Sequence, residues 1–481
     1  MGRVLPPPLV TTDGWSPKIK NYPHFDSPIS LSEIEALVTN PARVASNTFY
    51  PFLRYTQSWQ PFRSGSKGKP KPKTRPIRFA SRRDAYIFSY YRHLLVERYE
   101  ALLPSLGISD AVLAYRKIRD VTGGGKSNIE FARDAFEAVA DFGTCGVVAL
   151  DISSFFESLD HDLLRSQWCR VLGVRALPSD HEAVYRAMTR YAVVDRDAVY
   201  TRLGFIADDP TTGVPGYTVP FDDMPRKLCS NAQFRELICG KGGTHKSLID
   251  VNRRPFGIPQ GSPISDLLAN LYMIDFDIAL DAYCRARGGV YFRYSDDVLM
   301  VIPGEIVAAE QARDFAMAEI TRHGPKLRIK PSKTAVLRYM PDPKGGQVFT
   351  HISGEQGRNG LEYLGFRYDG KQVLLRDSTL SRLYRKVSAS VHWAVTAHVA
   401  RYPGKDAVFL EAQFDYSDFF QRYGRVDDFD EASDYDTWTF WTYARKAMTA
   451  FGAKGRPIPR QLRRYKTIVR ERVRRRINAA A

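Results

Sequence analysis

Tyr294-Ser295-Asp296-Asp297 sets two adjacent carboxylates between two short apolar runs, Val290 to Arg293 and Val298 to Ile302. Val290, Phe292 and Tyr294 alternate on one side; Val298, Met300 and Ile302 alternate on the other. That pattern predicts a β-hairpin with the acid pair at its turn. Side-by-side acids repel, and a hard divalent cation such as Mg²⁺, which prefers carboxylate oxygens, removes the repulsion. A solvated Asp-Asp turn is the plain alternative for the tetrapeptide alone. A third acid decides between the two. The apolar stretch Cys145 to Leu150 reads as a strand that delivers Asp151 at its end, and Asp160 then caps a helix that opens at His161. A strand-end Asp with an Asp pair on a distant hairpin is the donor set of a two-metal phosphoryl-transfer site. Such ions stand about 3.5–4 Å apart and share carboxylate bridges. One activates the attacking 3′-hydroxyl of a growing chain; the other holds the triphosphate and steadies the leaving pyrophosphate.

Other elements must carry these groups. Gly257, Pro259 and Gly261 predict a tight turn that brings backbone close to a ligand. Ser262 is placed to cap the helix that follows. Ile264, Leu267, Leu268, Leu271, Ile274 and Ile278 recur at steps of three and four, which gives that helix one core face. Asn270 and Asp266 lie on other faces, as structural residues. Asp84 to Leu103 reads as a helix with Tyr86, Tyr90 and Tyr91 available for packing. Gly123-Gly124-Gly125-Lys126-Ser127 suggests a phosphate-binding P-loop, but Asp120 stands where that loop needs its first glycine. A glycine-rich loop near Tyr115-Arg116-Lys117 is the better reading.

The ordered set of motifs resembles the bacterial reverse transcriptases. Asp151-Ile152-Ser153-Ser154-Phe155-Phe156 resembles their first palm motif. Phe256-Gly257-Ile258-Pro259-Gln260-Gly261 resembles the second and Tyr294-Ser295-Asp296-Asp297 the third. Leu327 to Thr334 resembles the fourth, and Leu361 to Phe366 the primer grip. The resemblance covers roughly residues 70–370. It implies an α+β right-hand polymerase with fingers, a palm built on an antiparallel sheet with the catalytic hairpin, and a helical thumb. The expected divisions are an N-terminal extension (1–60), fingers (61–140), palm (141–375) with an irregular insertion at about 190–250, and a thumb and C-terminal region (376–481).

Residue by residue, the resemblance makes Asp151, Asp296 and Asp297 the ligands of two Mg²⁺, with Mn²⁺ as a substitute and the Ile152 carbonyl completing one shell. Phe156 would fill the space of a ribose 2′-hydroxyl and select deoxynucleotides, while Phe155 packs. Gln260 would face the nucleotide, and Lys333 would approach the pyrophosphate. The basic run Lys67 to Arg78 looks like the fingers segment over the triphosphate. There Arg75 is the bidentate phosphate contact and Lys73 a second one. Leu364 and Gly365 would support the primer.

Composition agrees with a nucleic-acid partner: 481 residues carry a net charge of +17. The tail splits by charge. Residues 411–436 are acidic and aromatic, with acids running from Asp427 to Asp436, and residues 454–476 are basic, with Arg463, Arg464 and Arg470 as nucleic-acid contacts. Ile458, Leu462, Tyr465, Ile468, Val469 and Val473 give that basic segment an apolar face. Five cysteines without paired spacing argue against a zinc site and for a reduced, cytoplasmic setting. No signal peptide and no membrane span is expected.

Among sub-families, no zinc cysteines or His-Asn-His pattern point to the mobile-intron type. Val121-Thr122-Gly123 lies upstream of Asp151, not where the retron type carries it. The stand-alone, defence-associated and abortive-infection group is what this leaves. It implies an RNA template, dNTP substrates, a DNA product, an associated noncoding RNA and protection against bacteriophage. Template-independent or protein-primed synthesis and a retron or intron type stay open as alternatives, as does a homo-oligomer.

Overall fold

The computed structural model describes residues 14–59, 72–120, 123–423 and 440–480. Expectations for the first residues, Lys67 to Lys71, Val121-Thr122 and the acidic stretch Asp427 to Asp436 fall outside them.

Five antiparallel strands form the centre. Their order is Gln347–Gly354, Ala335–Pro341, Cys145–Asp151, Asp297–Pro303, Val290–Tyr294. The last two are the predicted hairpin, joined by Ser295-Asp296 at the sheet edge. Val298 to Ile302 is apolar at every position because both faces of that strand are covered. Val298, Met300 and Ile302 enter a core that includes residues of the helices Ser265–Tyr272, Ile274–Arg285 and Ile306–Arg322. Leu299 and Val301 enter a second core on the opposite face, against which Val290, Phe292 and Tyr294 pack. Burying one such side chain contributes about 1.5–3 kcal/mol. Two like charges 4 Å apart cost about 1–4 kcal/mol between bulk water and a protein surface. The strand therefore holds the acid turn in place against its own repulsion.

The helix that opens at His161 is capped by Asp160, whose carboxylate accepts from the Asp162 and Leu163 N–H groups. Arg82–Leu106 contains the expected tyrosine-rich helix, with Tyr86, Tyr90 and Tyr91 buried. Two local expectations are corrected. The segment from Ile264 to Ile278 is two helices that break at Met273, where the N–H turns to the Asn270 carbonyl in a tighter turn. Ser262 does not cap. Its hydroxyl meets Met188 Sδ at 3.6 Å, and Ser265 Oγ donates to the Pro259 carbonyl at 2.6 Å, because the helix begins only at Ser265.

A second sheet runs Lys73–Phe79, Phe52–Trp59, Ala192–Asp195, Asp250–Val251. Phe52–Trp59 pairs antiparallel with Lys73–Phe79, so the expected boundary at residue 60 falls inside one hairpin. The expected insertion is not merely irregular. It supplies two strands to this sheet, the helix Arg196–Arg202, and a small core of Val199, Tyr200, Met224 and Ile238 shared with Phe25 and Leu53.

Beyond the central sheet, Asp377–Arg401 packs on Tyr465–Asn478 through Leu383, Val387, Val391 and Val395 against Tyr465, Val469, Val473 and Ile477. Ile458 and Leu462 are also buried, while Ile468 is only half-buried. The architecture is the expected α+β arrangement, with the hairpin on an antiparallel sheet. All five cysteines are free thiols, and no helix among the described residues is long and apolar enough to cross a membrane.

Candidate active site

A cleft of about 1620 Å³ lies between the central sheet, the hairpin of the second sheet and the helix Asp377–Arg401. Asp151, Asp296 and Asp297 all line it. Sheet register brings them there: Asp151 is paired directly across from Asp297, and the Ile152 N–H donates to the Asp296 carbonyl at 3.0 Å. A strand end and a hairpin end, 146 residues apart in sequence by the difference of 297 and 151, thus become neighbours across one ladder.

The turn itself is strained. Ser295 is buried and holds φ at +61°, a left-handed conformation that a serine adopts only when its surroundings impose it. The surroundings are specific. Arg293, fully buried, donates to Asp277 from Nε and Nη2 at 2.6 Å each. Its Nη1 donates to the Ser295 carbonyl and to Asn270 Oδ1, both at 3.1 Å. Asp277 is equally buried and also accepts from the Tyr291 hydroxyl at 2.8 Å. From the cleft side, the Tyr115 hydroxyl lies 3.0 Å from Ser295 Oγ. Tyr115, itself at φ +66°, sits on a loop tied to the same strand: the Leu113 N–H donates to the Arg293 carbonyl, and the Arg293 N–H to the Ala111 carbonyl. Asn270 Nδ2 adds a bond to the Ala114 carbonyl at 2.8 Å. Asn270 is thus structural, as expected, and Asp266 pairs with Arg92.

The carboxylates are held at an electrostatic cost. Burial, then Asp296 and Asp151, push the Asp297 carboxyl up to about 7. Burial and then Asp151 also raise Asp296, opposed by Lys333 and Arg75. Lys333 forms an ion pair with Asp151. Three acids with too little compensating charge, two of them driven toward protonation, fit a divalent cation. Among the described residues, however, no three His, Cys, Asp or Glu side chains are already converged at metal-binding geometry. Asp151 is turned instead onto the Lys333 ammonium.

The other expected residues distribute as follows. Lys73, Arg75, Phe156, Gln260, Leu364 and Gly365 line the cleft with the acids and Lys333. Arg75 lies 5.9 Å over the Trp59 ring on the neighbouring strand. Phe156 is half-buried at the cleft, while Phe155 is buried in the core, as expected. Gln260 is fixed through its carbonyl, which accepts from the Arg78 N–H at 2.9 Å. Gly261 follows at φ +112°, where a Cβ would come within 2.6 Å of the Arg78 carbonyl. Leu364 and Gly365 form the turn between the strands Leu361–Tyr363 and Phe366–Tyr368, and Asn128 Nδ2 donates to the Leu364 carbonyl at 3.0 Å. Ile152 lines the cleft as well. Arg463, Arg464 and Arg470 do not join the site; they are exposed on the C-terminal helical segment, with Arg470 5.8 Å over Tyr416.

Sequence reasoning missed Tyr115, the Arg293–Asp277 pair, and the basic groups Arg376, Arg382 and Lys386 of the cleft wall. One signal was visible: Arg293 interrupts an apolar strand at a core-facing position, and a charge there needs a buried partner.

No protein-family model matches the chain. A 79-residue segment is 37% identical to the retron Ec86 reverse transcriptase of Escherichia coli, covering 16% of this chain and 24% of that protein. The chain therefore matches about a quarter of the length of that relative. Solved structures with weak likeness include apo telomerase from Candida Tropicalis, at 11% identity and TM-score 0.38, covering 88% of this chain and 64% of that one. The RNA-dependent RNA polymerase of a human picorbirnavirus gives 11% identity and TM-score 0.35 over 69% and 47%. Over the matched segment the chain is similar to a bacterial reverse transcriptase, the family that its ordered motifs resemble.

Proposed function

We propose that the protein is an RNA-directed DNA polymerase that joins deoxynucleotides to a 3′-hydroxyl in the cleft. The observation that carries this reading is the pairing of Asp151 with Asp297 across the sheet, beside Asp296 in one cleft with Lys333, Arg75 and Gln260. Divalent cations bound there, Mg²⁺ or Mn²⁺, would supply nucleophile activation and charge neutralisation at the transferring phosphoryl group. The residues of the chain do the rest. Asp151, Asp296 and Asp297 would hold the cations, with the Ile152 carbonyl as a further oxygen. Arg75 and Lys73, on a strand at the cleft edge, grip the triphosphate. With cations bound at Asp151, Lys333 would be free to leave that carboxylate and approach the leaving pyrophosphate. Phe156 blocks a 2′-hydroxyl, Gln260 orients the nucleotide, and Leu364-Gly365 supports the primer end. The basic side chains Arg376, Arg382 and Lys386 give the product backbone a track.

The finer reading assigns an associated noncoding RNA as template and a role against bacteriophage in the cytoplasm. It rests on the sub-family resemblance of the motifs. The test is to purify the protein with and without phage challenge and to sequence the co-purifying RNA and DNA, with Asp296→Ala/Asp297→Ala as control. A discrete RNA in both samples, with complementary DNA only in the wild type, is the expected result. DNA of simple sequence unrelated to the bound RNA would overturn templated synthesis.

A further inference from the structure

Away from the catalytic cleft, a groove of about 1120 Å³ opens between the N-terminal helices Leu31–Val38 and Pro41–Ala45, the start of the helix Arg82–Leu106, and the insertion at Asn231–Arg235. Neither the N-terminal segment nor the insertion has a part in the chemistry above. We propose that the groove binds a single-stranded nucleic-acid segment distinct from the strand being copied.

The charge is one-sided. Arg43, Arg83 and Arg235 line the groove and are exposed, and none has a carboxylate partner among the described residues. The single lining carboxylate, Glu33, is already engaged in the Ser30 capping box, bonded to Ser30 Oγ and to the Ser30 N–H. Arg43 Nη1 donates to the Ala36 carbonyl at 3.3 Å, and no carboxylate among the described residues neutralises any of the three. Three guanidiniums lining one groove favour an anion that offers several separated phosphates.

The floor favours flat rings. Phe49, Tyr50 and Phe234 line it half-buried. Phe49 stacks on Phe88 at 5.5 Å, and Tyr50 meets Phe234 edge-on at 5.5 Å. Buried Asp84 fixes this wall by accepting from Asn47 Nδ2 at 3.1 Å and from the Tyr50 N–H at 2.9 Å. The floor is therefore rigid before any ligand arrives, which limits the ordering cost of binding. Aromatic platforms beside a basic track hold single strands with little sequence preference.

The test uses the full chain with its catalytic cleft saturated by a primer–template duplex. A labelled oligo-uridine and an oligo-thymidine are titrated in parallel against wild type and Arg43→Gln/Arg83→Gln/Arg235→Gln. Wild type is expected to bind an oligonucleotide in addition to the duplex. The triple variant should bind about tenfold or more weakly, with its log K against log salt slope reduced by about 2, from roughly 0.7 per lost phosphate contact. Primer extension on a short template should be unchanged in the variant. Preference for oligo-uridine identifies RNA as the natural occupant, and preference for oligo-thymidine identifies DNA. Equal binding by wild type and variant, or no second oligonucleotide bound by either, would overturn the inference. The inference does not depend on catalysis: loss of polymerase activity in both proteins would leave the binding result readable.

Discussion

At the scale of single residues, the acid triad and its clamp make the sharpest demands. Under the proposed function, Asp296→Asn removes charge stabilisation worth about 4 kcal/mol, which cuts primer extension roughly a thousandfold. Single-turnover rates on a defined primer–template check this, and near-normal rates would sink the site assignment. Asp297 gives a pH signature. Its carboxyl sits at about 7 in the fold, well above its unfolded range, so the folded state holds the proton more tightly. The resulting stabilisation is complete below about pH 4 and is lost as pH rises toward 7. In chelator, wild type should therefore lose stability relative to Asp297→Asn between about pH 4 and 7. Added Mg²⁺ should restore the wild type at neutral pH and stabilise the variant less. Thermal unfolding across that window measures both effects. Tyr115→Phe removes one hydroxyl from Ser295. A net hydrogen bond contributes about 1 kcal/mol, so kcat should fall about fivefold with KM unchanged if Tyr115 positions the turn. A change in KM alone would instead make it a substrate contact.

At the scale of elements, close approach between helix and sheet fixes where the acids stand. Gly146 lies on the central strand that ends at Asp151, and a Cβ there would overlap the Ala309 side chain of the helix Ile306–Arg322. Gly146→Val should cost about 1–3 kcal/mol by overpacking. Because the strand would shift with its terminal carboxylate, activity should fall further than the fraction unfolded explains. Denaturant titration alongside primer extension separates the two effects. These elements were unevenly legible in the sequence. The hairpin and the strand before Asp151 showed through their apolar alternation and β-branched runs, because covered strands must be apolar. The break at Met273 did not show, since both helices continue one apolar stripe across it and only tertiary packing decides where the axis turns. The strands contributed by the insertion were also hidden. Ala192–Asp195 and Asp250–Val251 are too short to show a period; the first exists because the edge at Phe52–Trp59 offers it a partner, and the second because the first offers it one in turn.

At the scale of the whole molecule, the excess of positive charge should make nucleic-acid binding fall steeply with salt. Arg463, Arg464 and Arg470 lie apart from the cleft lining, on the exposed side of a segment whose other face is core. Replacing all three with Gln should reduce the salt slope for a long primer–template duplex by about 2–3 and leave the slope for a duplex confined to the cleft unchanged. Fluorescence titration at several salt concentrations reads this directly, and equal slopes would remove these arginines from the nucleic-acid surface.

The sequence by itself determined the chemistry: the acid types, their order along the chain, the glycines that only a close backbone approach explains, and the basic excess. Those are local properties, set by each side chain and its immediate neighbours. Tertiary structure alone decided the rest. It paired Asp151 with Asp297 across a ladder, buried Arg293 on Asp277 behind the turn, and set Lys333 against Asp151. It also joined the N-terminal segment to the insertion around a basic groove. Each is a contact between distant segments, made favourable only after the cores have excluded water and brought those segments together.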